Sequence, residues 1–160
     1  QIAEIDKGTK EKFIEDLGAT RTELGSHIPE GLLFSKGGFK VEATTPTFVL
    51  LLGWKSKEAE EAFRKTPFYT SHYELFQKYS SHPIETHVVE AIHEVKKPVD
   101  HKCLEVWIGH VEKAKQAEFL AAAKKLEEAA PKIPGVLAYT GGVTDTAVVT
   151  FITWNTLEDH

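Results

Sequence analysis

The chain has 160 residues, 41% of them hydrophobic and 27% charged, which is the balance of a soluble globular protein with room for one medium domain or two small units. Its net charge of −5, with acidic and basic residues interspersed and no basic tract, argues against a nucleic-acid surface. The longest apolar stretch, Phe48 to Leu52, is far too short to span a bilayer, and Gln1-Ile2-Ala3-Glu4 shows no signal-peptide pattern.

The sequence does not begin with methionine, so targeting information ahead of Gln1 stays open. The single cysteine, Cys103, cannot form an internal disulfide, so a reducing, cytoplasmic setting is expected. Cys103 opens an apolar strand pattern with no activating cluster nearby, and reads as a buried structural thiol.

In chain order, Ile2, Glu4 and Ile5 read as the end of a strand. Thr9 to about Leu24 reads as a helix with Phe13, Leu17 and Leu24 on one face. Pro29 to Lys36 is a short strand closed by a turn at Gly37-Gly38. Thr47 to Lys55 is apolar on both faces and is expected at the centre of a sheet. Ser56 is an N-cap followed by Glu58, Glu60 and Glu61 in the first turns of a helix. Pro67 interrupts that helix, and a second segment runs from Tyr69 to Tyr79. Pro83 then opens a strand from Ile84 to Val95. The order β-α-β-β-α-β is the ferredoxin-like pattern.

Lys96 to Asp100, with Pro98, reads as a linker, after which the pattern restarts. Leu104, Val106 and Ile108 form a strand. Glu112 to Ala130 is a helix with Phe119, Ala122, Ala123, Leu126 and Ala130 along one face, stopped by Pro131 and Pro134. Strands follow at Val136 to Thr140 and Ala147 to Trp154. Two segments of the first half recur in the second. Ile28-Pro29-Glu30-Gly31-Leu32-Leu33 through Gly37-Gly38 is echoed by Ile133-Pro134-Gly135-Val136-Leu137 through Gly141-Gly142. Phe48 to Glu58, with Trp54, is echoed by Val148 to Glu158, with Trp154. A repeat this long is one folded unit duplicated. The expected fold class is α+β: two tandem ferredoxin-like units, residues 1–95 and 101–160. The second reads as incomplete, because the sequence ends where its second helix and last strand are expected.

The run Leu51-Leu52-Gly53-Trp54-Lys55-Ser56-Lys57-Glu58-Ala59, then Ala62-Phe63-Arg64 and Pro67-Phe68-Tyr69, resembles the dimeric α/β-barrel superfamily. Its antibiotic-biosynthesis-monooxygenase-like and stress-responsive A/B-barrel branches are the most similar. The resemblance implies two units pressing their sheets into a barrel whose interior binds a small organic molecule. Members include cofactor-free monooxygenases, polyketide cyclases, haem-degrading enzymes and proteins without known activity. Matching the chain to the superfamily's plant polyketide cyclase puts the catalytic tyrosine and histidine roles at Phe63 and Tyr69. Phe63 carries no proton to transfer, so that mechanism does not carry over intact.

Histidine titrates near neutrality and is the commonest general base. Of the eight in the chain, His72, His82, His87, His93, His101 and His110 fall in one stretch. Tyr69, His72, Tyr73 and Phe76 recur at three- and four-residue intervals and share a helical face. That face suits either a pocket wall for an aromatic ligand or an aromatic core with satisfied polar tips. In the strand after Pro83, Glu85, His87, Val89, Ala91 and His93 point one way. If that side faces the interior, His87 is a second candidate base; on an edge strand it is solvated. Trp107, His110 and Tyr139 are candidate pocket residues of the second half, or ordinary core.

Metal binding is poorly supported. His87 and His93 lie about 20 Å apart along a strand, and no Cys-x-x-Cys or His-x-His pair is present. No cofactor is expected. The leading expectation is a cofactor-independent cyclase, isomerase, decarboxylase or monooxygenase acting on a small aromatic or polyketide-like molecule, with His72 or His87 as general acid/base. A non-enzymatic ligand-binding or stress-response barrel is the second reading, and a haem-binding or haem-degrading protein the third. The expected partners are a small molecule and, for a dimeric barrel, a second copy, with neither nucleic acid nor membrane.

Overall fold

The computed structural model describes residues 1–25, 28–41, 43–91, 103–144 and 147–160. The chain divides into two compact units, Gln1–Thr86 and His87–His160. Each is an antiparallel sheet with helices, so the class is α+β, as the sequence predicts.

In the first unit the order is β1 (Ile2–Glu4), α1 (Lys10–Gly25), β2 (Leu32–Phe39), β3 (Thr47–Trp54), α2 (Lys57–Arg64) and α3 (Pro67–Tyr79). β3 lies between β1 and β2, the central place its apolar sequence predicts, with Phe48 and Leu50 buried in the core. The Ser56 side chain accepts from the Ala59 amide and starts α2. Thr66 does the same for α3 through the Tyr69 amide, and Pro67 sits at the first helical position, where no amide donor is needed. Pro67 therefore begins α3, two residues before the expected start.

Gly37 and Gly38 do not close β2 with a turn, as the sequence suggested; they lie inside it, paired with Leu50 and Val49. A β-carbon at Gly37 would stand 2.7 Å from the Phe48 ring and 2.9 Å from the Arg21 guanidinium, so the bare backbone makes room for both. Gly141 and Gly142, whose residue types also suggest a turn, likewise lie within a strand, β6 (Val136–Val143).

The first core lies between the sheet and the helices α1 and α3. Phe13, from α1, is fully buried and meets Phe48, Phe76, Tyr79 and Phe39 edge-on at 5.2–6.0 Å. Ala3, Ile5, Leu17, Leu50 and Leu75 complete it. Asp16 on α1 accepts from the Tyr79 hydroxyl at 2.6 Å and from Lys78 at 2.9 Å, tying the end of α3 to the middle of α1. These donors, the Tyr79 hydroxyl foremost, hold the Asp16 carboxyl well below the usual carboxylate range. The Leu24 side chain, expected on this buried face, lies outside the described residues.

The second unit contains β4 (Glu90–Ala91), β5 (Cys103–His110), α4 (Gln116–Ala129), β6 and β7 (Ala147–Trp154), in the sheet order β4-β6-β7-β5. Single 3₁₀ turns flank α4 at Lys113–Lys115 and Ala130–Lys132. Ala123 on α4 and Ala130 in the turn after it are buried, but Leu126, expected on the same face, is 53% exposed. The strand predicted from Ile84 to Val95 takes another form. Glu85 forms an isolated bridge with Ile2 in the first unit, and Glu90–Ala91 pairs with β6 in the second. Residues 92–102, which include His93, His101 and the predicted linker, lie outside the described residues.

The hairpins β2–β3 and β6–β7 match in detail. Leu32 pairs with Trp54 and Val136 with Trp154, and each ladder then slips by one residue. Gly31 and Gly135 both take positive φ, +81° and +83°, and their carbonyls accept from the amides of Lys55 and Asn155 at 2.8 Å. The partners of β3 and β7 on their other sides, β1 and β5, are both antiparallel.

Candidate functional site

α1 and α3 run in opposite senses, with Phe13 on Tyr79 and Arg21 near His72, and Tyr79 at the end of α3 is held by Asp16 in the middle of α1. Toward the start of α3 they leave a narrow cleft over the sheet, a cavity of about 20 Å³ in this packing. That is room for about one or two water molecules, so a ligand the size of an aromatic ring enters only when the side chains that line the cleft move apart. The floor is Leu50, Leu52 and Trp54 of β3 with Ser35 and Leu32 of β2. α2 contributes Phe63, α3 contributes Phe68 and His72, and α1 contributes Thr20 and Arg21.

The wall is a chain of aromatic contacts. Trp54 meets Phe63 at 4.9 Å, Phe63 meets Phe68 at 6.0 Å, and Phe68 stacks on His72 at 6.1 Å with an interplanar angle of 20°. His72 in turn rests on the core ring Phe76 at 4.9 Å. His72 is 9% exposed, and its Nε2 is buried with no hydrogen-bond partner among the described residues. Burial, and after it the charge of Arg21, lowers its pKa to about 4, so the imidazole is neutral at pH 7. A neutral imidazole has a nitrogen lone pair free to accept a proton, but with a pKa of about 4 it is a weak base until something offsets its burial.

His72 thus lies in the cleft wall. The other residues expected on its helical face do not line the cleft. Phe76 is 1% exposed and belongs to the solid core. Tyr69 and Tyr73 stack on each other at 6.1 Å, with Tyr69 edge-on to Phe63. The stripe that faces inward is Phe68, His72, Phe76 and Tyr79, one position round the helix from the expected one. His87 is exposed and begins the second unit, outside any ladder.

Trp107, His110 and Tyr139 belong to the second unit. Trp107 is 50% exposed with its ring against Gly109. His110 is exposed at the end of β5, opposite Ala147. Tyr139 is half-buried, and burial, then the Glu127 charge, raises its phenol pKa. Cys103 is half-buried, and burial, then Glu105, raises its thiol pKa, which disfavours the reactive thiolate.

Sequence reasoning overlooked Arg21, Thr20, Phe68 and Trp54 as cleft residues. Phe68 and His72, four apart, were a legible pair; Arg21 carried no signal, because only the crossing of α1 over β2 brings it there. Among the described residues no cluster of three metal-ligating side chains occurs, and no helix is long and apolar enough to cross a membrane.

No protein-family model matches the chain, and no curated protein matches it by sequence. Solved structures do. A "putative monooxygenase" from Fusobacterium nucleatum matches 99% of this chain and 75% of its own, with a TM-score of 0.77 at 12% identity. Another so named, from Lactobacillus acidophilus, matches 99% and 76%, with a TM-score of 0.70 at 14% identity. An anthrone oxidase-like protein matches 99% and 72%, with a TM-score of 0.63 at 14% identity. At these identities the likeness is one of fold, and it agrees with the fold type that the sequence resembles.

Proposed function

We propose that the protein is a cofactor-independent enzyme that removes a proton from a small aromatic or polyketide-like molecule held in the first unit's cleft. The observation that carries this reading is His72: a neutral, buried imidazole whose Nε2 has no hydrogen-bond partner among the described residues, set beside Phe68, Phe63, Trp54 and Leu52, with Arg21, Thr20 and Ser35 also lining the cleft. A group left unpartnered inside the protein costs free energy unless something else satisfies it. A substrate donor or acceptor would do so.

In this reading His72 takes the proton from a C–H beside a carbonyl, and the electron pair passes to the carbonyl oxygen as an enolate. Reprotonation elsewhere gives isomerisation, and attack on a second carbonyl gives cyclisation. Oxygenation requires dioxygen as the oxidant. The name of one structural relative, an anthrone oxidase-like protein, supports a substrate with such an acidic carbon, and the two named "putative monooxygenase" support an oxygenation. The matching registers and glycines of the two hairpins support a duplicated unit, with the cleft in the first copy.

The test reads the proton step alone. Anthrone and related aromatic ketones are incubated with the protein in D₂O without oxygen, and exchange of the acidic hydrogen is followed by NMR. The expected result is exchange faster than in buffer, reduced by about 10²–10⁴-fold in folded His72→Ala. Binding without accelerated exchange across the series would identify a ligand-binding protein instead.

A further inference from the structure

We propose that the cleft selects anionic aromatic ligands, carboxylates or acidic phenols and enols, and that Arg21 on α1 is the residue that reads the negative charge. The inference rests on the cleft being the ligand site and goes further by assigning the ligand's charge.

Among the described residues, Arg21 and His72 are the titratable side chains that line the cleft, and no Asp or Glu does. Arg21 has no carboxylate partner among the described residues, whereas Lys12, Lys57, Arg64, Lys78 and Lys115 all pair with acids. Its guanidinium reaches over β2 to lie against the backbone of Gly37, at a position where any side chain would stand in its way. The cation therefore lies over β2 at Gly37, opposite Leu50, while Trp54, four residues further along β3, begins the aromatic run through Phe63 to Phe68. A planar molecule with a negative end matches this arrangement: rings against the aromatic wall, oxygens on the planar donor fork.

The charge also acts on His72: burial disfavours protonation of the imidazole most, and the charge of Arg21 adds to it. An anion bound at Arg21 offsets that repulsion. Arrival of the ligand thus strengthens the base that acts on it.

The experiment is a calorimetric titration with 1-naphthoate and its neutral counterpart 1-naphthamide. The expected result is that the wild-type protein binds the carboxylate about tenfold tighter, and that this preference shrinks as salt is added. Arg21→Gln should bring the two affinities to within about twofold while leaving that of the amide unchanged, and Arg21→Lys should retain part of the preference. Arg21 is exposed on its helix, so both variants are expected to melt like wild type. Equal affinities in the wild type, or a preference that survives Arg21→Gln, would overturn the assignment to Arg21 and leave the role of His72 standing. Binding of neither compound would overturn the cleft as a ligand site, and both proposals with it.

Discussion

The His72 imidazole lies nearly parallel to the Phe68 ring, centroids 6.1 Å apart and planes 20° from one another, one turn along the same helix. The stack faces the cleft on one side and the core ring Phe76 on the other. Such a position holds the imidazole in one orientation and keeps water from solvating its charged form.

The first prediction is a pH dependence of stability. His72 titrates at about 4 in the folded protein, against 6.5 in the unfolded chain. Between these values the unfolded chain binds a proton that the folded protein does not, so stability rises with pH there and falls on acidification. From pH 7 to 5 the loss assigned to this group is about 2 kcal/mol. Asp6 and Glu58 have lowered pKa values, so their contributions are lost only at lower pH. Urea unfolding at pH 7, 6 and 5 on wild type and His72→Phe is expected to show a slope difference of this size. Equal slopes would mean that His72 protonates freely in the folded state.

The second concerns which aromatics hold a ligand. Phe68 lines the cleft, and Tyr73 stacks on Tyr69 away from it. Phe68→Ala should weaken naphthoate binding by about tenfold, the worth of one good aromatic contact. Tyr73→Phe should change it by less than about twofold. Similar losses in both would place the ligand on the tyrosine face.

The third compares two glycines that lie against rings. A β-carbon at Gly53 would land within the Phe34 ring, and Phe34 is buried. One at Gly109 would land within the Trp107 ring, but Trp107 is half exposed and free to swing outward. Gly53→Ala is expected to destabilise by about 1–3 kcal/mol through overpacking, and Gly109→Ala by less than about 1 kcal/mol. Chemical denaturation of the two variants checks the order.

The fourth tests the matching hairpin entries. Gly31 and Gly135 have φ near +80°, and a β-carbon at either would crowd Ala59 or Asp159. Each change to alanine should cost about 1–2 kcal/mol from the backbone alone. A neutral result at one site and a large cost at the other would show that the two turns carry different strain.

The sequence by itself determined the local elements and their pairing. Ser56 could only cap a helix before its run of glutamates, and a strand as apolar as Phe48 to Trp54 could only lie between two others. The recurrence of Ile-Pro, Gly-Gly and strand-Trp marked two hairpins that do share register and glycine geometry. His72 was legible as an imidazole on an aromatic helix. The side of α3 that faces inward was not. Phe68 and Tyr69 begin adjacent stripes that share His72 and Phe76, and a 3.6-residue period does not choose between them. Packing of α1 against Phe76 and Tyr79 chose, and it put Phe68 in the cleft and Tyr73 outside it. Gly37 and Gly38 read as a turn because the residue type signals freedom; the fold used them to clear space for Phe48 and Arg21. The segment after Pro83 alternates like one long strand, yet its hydrogen bonds divide between two sheets, because partners remote in sequence decide where a ladder forms. Arg21 reached the cleft for the same reason: its place is set by contacts between α1 and β2, and no spacing along the chain encodes them.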